Sequence, residues 1–221
     1  GRIIAIFYVI CATEAVYLIA RVDHIEPAAA HLKHFVFRSN VQINHQHSMS
    51  IFLSDTATIS EDSTLLPGTI EELGKDALRA RLKNPCALEI TLTTNPTMNE
   101  TSDDGKKETV LSAESFWSYQ MHASAIPELT LEQTEQYLPE PLNLDLSGGI
   151  NFEKGCYTGQ EVIARMHYLG KAKKRLFQFT SNESAKIKAK MPVYDQQGDA
   201  VGEVFSVFAA INSMESGDIS S

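Results

Sequence analysis

A chain of 221 residues, 43% of them hydrophobic and 21% charged, has enough apolar mass for a sizeable core in one domain or two. Its net charge of −9 argues against general coating of nucleic acid and leaves room only for a local basic patch. Three cysteines, at 11, 86 and 156, form no close pair and no CxxC. That pattern points to a reducing, cytoplasmic setting and excludes a four-cysteine metal or cluster site from one chain.

Residues 3–20, IIAIFYVICATEAVYLIA, are mostly apolar. Eighteen residues is the short limit for a membrane span, and a buried Glu14 would cost roughly 3 kcal/mol. A hairpin fits better, with strand formers at 3–10 and 15–20 joined through 11–14. No charged n-region with a small-residue cleavage site marks a secretory signal. Pro27 suits the first turn of a helix whose apolar stripe is Leu32, Phe35 and Val36. His31 and His34 on that helix, and His45 and His47 beyond it, lack a further ligand at metal spacing and read as solvated.

Residues 41–43 and 49–53 read as strands. Thr69 and Glu72 make a capping box, with Ile70, Leu73, Ala77, Leu78 and Leu82 on one face, so a helix is expected before Asn84-Pro85. Residues 87–93 read as a strand, giving strands around a helix in an α+β layer. Residues 94–109 hold almost nothing apolar and read as an exposed loop. Ser112 can cap a helix carrying Phe116, Trp117, Tyr119 and Gln120, which Pro127 ends. A lone Trp such as Trp117 is by default a core aromatic.

Residues 147–170, SGGINFEKGCYTGQEVIARMHYLG, read as one unit. Gly148-Gly149 turns the chain, and 150–153 alternates as a short strand. Thr158 and Glu161 make a capping box. Val162, Ile163, Met166 and Leu169 form the helix's apolar face, and Gly170 suits a left-handed stop. Cys156 then precedes the N-cap by two residues, near the positive end of the helix dipole and near Lys154. Both favour the thiolate. Gly155 and Gly159 would let a ligand approach the backbone. The residues support either a reactive, ligand-facing thiol or a small buried one.

The run 171–175, KAKKR, follows. Six Lys or Arg against one Glu give 154–175 a charge of +5. Such a patch at Lys171, Lys173, Lys174 and Arg175 could hold a polyglutamate tail, a phosphate or RNA, or be a strand edge guarded by lysines. Residues 176–180, 191–194 and 200–208 read as strands, the last two joined by a turn at 196–199. The chain opens mid-pattern without Met and ends with no closing element, so a piece of a longer protein is expected.

KGCYTGQE at 154–161 resembles the signature of the YgfZ family, the folate-binding relatives of the glycine-cleavage T-protein. Residues 137–165 are similar to that family throughout; the likeness is weaker over 1–41 and poor over 44–112. The resemblance implies an α+β fold: a T-protein/YgfZ-like folate-binding core over 1–180, then a partial C-terminal β-barrel over 181–221. It implies tetrahydrofolate as cofactor and Cys156, with Lys154, as the chemical centre. Trp117 stands ten residues before Pro127, as does a Trp that lines the folate site in the family. The family usually has Gly where Ala125 stands.

In T-protein relatives an acidic residue near the start of this region holds the pterin edge, which points to Glu140, although YgfZ proteins often carry Gln there. Asn143, Gly155, Tyr157, Gly159, Gln160, Glu161 and Arg165 complete the implied cofactor side. The implied function is an accessory role for iron–sulfur enzymes and, through them, tRNA modification. The alternatives are a folate-dependent aminomethyltransferase, or an RNA-binding module working through 171–175.

Overall fold

The computed structural model describes residues 1–45, 50–55, 66–74, 77–83, 88–94, 113–170, 173–181 and 186–208. It is a mixed α and β structure with open antiparallel sheets. It divides into two compact units, Gly1–Arg175 and Leu176–Ser221.

The first unit opens with the expected hairpin, β1 (Tyr8–Cys11) and β2 (Val16–Ile19), shorter than its apolar run. Tyr8 faces Ile19 and Ile10 faces Tyr17 across the pair. These four residues turn inward together, because side chains of one strand face share a direction. Helix α1 (Val22–Lys33) follows. It starts five residues before Pro27, so Pro27 is interior and not in the first turn, and the ring forfeits the N–H that would reach Asp23. Its buried side chains are His24 and Ala28; Phe35 falls beyond its end and is exposed.

Four strands form the main sheet in the order β3 (Ser50–Asp55), β6 (Leu88–Thr93), β5 (Ala77–Arg81), β4 (Ile70–Glu72), all antiparallel. The helix expected over 70–82 is therefore a hairpin. Leu78, Ala80 and Leu82 alternate with Arg79 and Arg81, a period of two that outweighs the helical spacing. Leu78 lies opposite Leu92 and Ala80 opposite Ile90, so one face is packed. The other carries Arg79, whose guanidinium lies 3.2 Å from Glu89 and 3.7 Å from Glu71. Glu72 caps no helix. Its carboxylate accepts the Thr13 backbone N–H at 2.8 Å and ties the first hairpin to β4.

Residues 41–43 form no strand and Val41 is exposed. The expected loop at 94–109 and the Ser112 cap lie almost wholly outside the described residues, as do His47, Asn84, Pro85 and Cys86.

Helix α2 (Ala113–Ala123) sends Met121 into the core beside Leu88, Ile90 and Ile126. Burying Leu88 and Ile90 completely contributes about 2 kcal/mol each. The helix ends in a Schellman motif: Ile126 N–H donates to Met121 O and Ala125 N–H to His122 O. Two short 3-10 turns follow, Leu131–Gln133 and Glu140–Leu142, before α3 (Gln160–Leu169).

In the second unit β7 (Pro192–Tyr194) and β8 (Ala200–Glu203) form an antiparallel hairpin. Asp195 Oδ1 accepts the N–H groups of Gln197 and Asp199, and Gly198 takes φ 88°, which builds the expected turn. The expected strand at 176–180 is not formed, and Phe177 and Phe179 are exposed.

Candidate functional site: the Cys156 loop, the Trp117 pocket and the Glu140 turn

The run 150–153 is bent, not a strand. Asn151 Oδ1 accepts the N–H groups of Glu153 and Lys154 at 2.8 and 3.1 Å, a local turn that competes with strand pairing. The N-cap of α3 is Gly159 at φ 87°, one residue later than the expected Thr158. No Thr158–Glu161 box closes it. Instead Gln160 Oε1 reaches back to the Tyr157 N–H at 3.2 Å. A Cβ on Gly159 would stand 2.5 Å from Gly1 N, so this glycine admits the chain's own backbone. Gly155 has open space where its Cβ would be.

Cys156 lies three residues before that N-cap and is exposed. The structure therefore places it outside the packed core. Lys154 is exposed, with Nζ 4.4 Å from the centre of the Tyr157 ring, a cation–π contact. Glu161 and Arg165 are exposed on α3. The apolar face expected for α3 shrinks to Ile163, since Val162 and Leu169 are exposed and Met166 is half-buried. Gly170 is extended at φ −104°, not left-handed. It is required by crowding, because a Cβ would stand 2.8 Å from Met166 O. Phe152 stacks on His167 with centroids 3.7 Å apart and planes at 19°. The loop thus doubles back along α3 from its far end to its start, and Cys156 lies on the return.

Trp117 is half-buried on α2. Its Nε1–H donates to Glu128 Oε1 at 2.9 Å, and its ring meets Tyr8 edge-on at 5.2 Å. Both residues, with Arg21, His24 and Glu128, line a pocket of about 30 Å³. That volume holds a water or two. No residue of 147–170 lines it.

Tyr8 donates to Met121 Sδ at 3.1 Å, and burial, then the Glu128 charge, pushes its hydroxyl well above the ordinary tyrosine range. Below the pocket, Arg21 holds Asp23 through two 3.2 Å contacts, and Asp23 Oδ1 lies 3.2 Å from His24 Nδ1. Burial pushes the Asp23 carboxyl up, but Arg21 and His24 more than offset it. Sequence reasoning missed His24, Glu128 and Tyr8. The only signal was an apolar-face histidine and a carboxylate directly after Pro127.

Glu140 opens a 3-10 turn and is 2% exposed. Neither carboxylate oxygen has a hydrogen-bond partner among the described residues. Asn143 ends that turn at φ 58°, a left-handed position that Asn tolerates, and its N–H donates to Glu140 O. Arg175 is not a free surface cation. Nη1 donates to Glu140 O at 2.9 Å and to Asp145 Oδ1 at 2.6 Å, and Nη2 donates to Asp145 Oδ2 at 2.9 Å. Lys173 and Lys174 are exposed, while Lys171 lies outside the described residues.

Among the described residues no group of His, Cys, Asp and Glu is arranged to hold a metal ion, and no helix is long and apolar enough to cross a membrane. What these elements define is an α+β protein that displays a thiol on a glycine-flanked loop folded back along a short helix.

No family model matches the chain. Individual relatives do. The tRNA-modifying protein YgfZ of Colwellia psychrerythraea (strain 34H) is 46% identical over 65 residues, 29% of this chain and 20% of that protein. The tRNA-modifying protein YgfZ of Escherichia coli O157:H7 is 26% identical over 200 residues, 88% of this chain and 61% of that protein. The one from Vibrio atlanticus is 42% identical over 64 residues, 29% of this chain and 20% of that protein. The chain is thus similar to YgfZ proteins over as much as 88% of its length, and it spans 61% of the length of the Escherichia coli relative.

Proposed function

We propose that this protein is a tetrahydrofolate-binding accessory factor of the YgfZ class, acting in the cytoplasm on iron–sulfur enzymes and, through them, on tRNA modification. The observation that carries the reading is the exposure of Cys156 on the KGCYTGQE loop. A thiol held for packing would be buried; this one is presented to a partner. The relatives' shared name, tRNA-modifying protein YgfZ, supports the link to tRNA modification. On this reading residues 1–180 are the T-protein-like core and 181–221 are part of a C-terminal β-barrel.

The cofactor's fit rests on the polar groups. A pterin edge offers paired N–H donors, and the orphaned carboxylate of Glu140 is a suitable acceptor pair. The Trp117 pocket, at about 30 Å³, is far too small for a pteridine ring. Trp117 would thus stack on the cofactor only after local opening, with Glu128 still holding the indole N–H. Asn143, Gly155, Tyr157, Gly159, Gln160, Glu161 and Arg165 belong to this reading as the turn and loop around the cofactor. Bound tetrahydrofolate would supply a one-carbon carrier at its N5–N10 positions. Lys154, with its ammonium on the Tyr157 ring, keeps positive charge on the loop that carries the thiol. A cluster or sulfur species would be cargo, since one cysteine supplies a single ligand.

The test is a Cys156→Ser variant in cells lacking the protein. It should fold as the parent does and fail to restore iron–sulfur enzyme activity. Full restoration would remove the thiol from the function. Tetrahydrofolate added to the full-length protein should quench Trp117 emission; an unchanged spectrum at saturation would count against stacking.

A further inference from the structure

We propose that Phe152, His167 and Tyr168, flanked by Arg165, Lys173 and Lys174, form a docking surface for an unpaired stretch of RNA. The three rings are already arranged as a platform. Phe152 and His167 are stacked, and Tyr168 meets His167 nearly at right angles, with centroids 4.8 Å apart. This cluster contributes little to the core: Tyr168 is 68% exposed and the adjoining Leu169 is 84% exposed. Large aromatic and aliphatic surface left in water beside a helix end is a binding feature when the surrounding charge fits a partner.

Here the charge fits a polyanion. Residues 152–175, the segment that carries the rings, hold six Lys or Arg against Glu153 and Glu161, a charge of +4 on a chain of −9. Arg165 precedes Tyr168 by three residues and so shares its side of α3. Lys173 and Lys174 are exposed just beyond the helix end. Arg175, held by Asp145, anchors the segment that carries them and leaves the lysines to make the phosphate contacts. Exposed rings stack on unpaired bases of any sequence, whereas a duplex keeps its base faces inside. Basic side chains beside the rings would track the backbone. The choice of RNA rests on the proposed link to tRNA modification; the stacking geometry does not.

The experiment is fluorescence anisotropy with the whole chain and a labelled, unstructured oligoribonucleotide of about 12 nucleotides. Three phosphate contacts on a single strand give a log–log salt slope of about −2 between roughly 50 and 200 mM. Tyr168→Ala should weaken binding about tenfold, the size of one base–ring stack. Tyr168→Phe should keep it. The double variant Lys173→Glu, Lys174→Glu should weaken binding and flatten the slope. Affinity that ignores salt, equal affinity for an RNA duplex or for inorganic polyphosphate, or no effect of Tyr168→Ala would each overturn the proposal. A Tyr168→Phe loss as large as that of Ala would also overturn it. Cys156→Ser should bind the oligonucleotide unchanged, so failure here and failure of the accessory-factor reading are read on different variants.

Discussion

The indole N–H of Trp117 is bonded to Glu128, eleven residues on, at 2.9 Å, and the same carboxylate raises the proton affinity of Tyr8. One acidic side chain thus fixes the only Trp and adds to the burial that keeps its aromatic neighbour neutral. Glu128→Gln retains an acceptor and should leave Trp117 emission nearly unchanged. Glu128→Leu leaves the N–H unpaired, should shift the emission, and should cost about 1 kcal/mol in urea unfolding.

Tyr8 also gives a pH prediction. An acid whose folded-state value is raised loses stability once the unfolded group can ionise. Stability should therefore fall as pH rises above about 10, the ordinary tyrosine value. Glu128→Gln should reduce this fall without abolishing it, because burial is the larger cause. Ultraviolet titration of tyrosinate, compared between parent and variant, checks this.

Ala125 occupies φ 53° directly after α2, in the C′ position of the Schellman motif. Glycine takes that conformation without a Cβ penalty. Ala125→Gly should raise stability by about 1 kcal/mol, read as a shift of the urea midpoint at unchanged slope. Exposed at its own side chain, Ala125 has no packing to lose.

Arg175 and Asp145 form a bidentate pair in which the carboxylate is nearly buried. Burial pushes the Asp145 carboxyl up, but the hydrogen bonds and charge of Arg175 more than offset it, and the net value lies below the usual range. A depressed folded-state value adds stability that is complete above the unfolded value, near 3.9, and is lost as pH falls through the folded one. Asp145→Asn should cost about 2 kcal/mol near neutral pH, the size of charge-assisted hydrogen bonds in a half-buried setting. The difference between variant and parent should narrow under strong acid, as followed by circular dichroism.

Gly159→Ala combines a left-handed φ of 87° with a Cβ placed against the backbone of Gly1. It should destabilise by at least about 1–2 kcal/mol, the backbone term alone. Thermal unfolding measures it. Gly155→Ala, with open space at its Cβ, should be close to neutral and serves as the control.

Local chemistry in the sequence was enough for the first hairpin, the presence of α2 before Pro127, the 196–199 turn and the YgfZ signature. Each depends on contacts within a few residues. The tertiary structure decided where local signals conflicted. Thr69 and Glu72 carry a helix-start pattern, yet 70–81 pairs as strands because Leu78 and Ala80 bury their side chains only against Leu92 and Ile90. Long-range partners likewise decided the polar groups: Glu128 for Trp117, Asp145 for Arg175, and none found for the Glu140 carboxylate among the described residues. Sequence spacing carries no record of such pairings, since burial and hydrogen bonding depend on distances that exist only once the chain has folded.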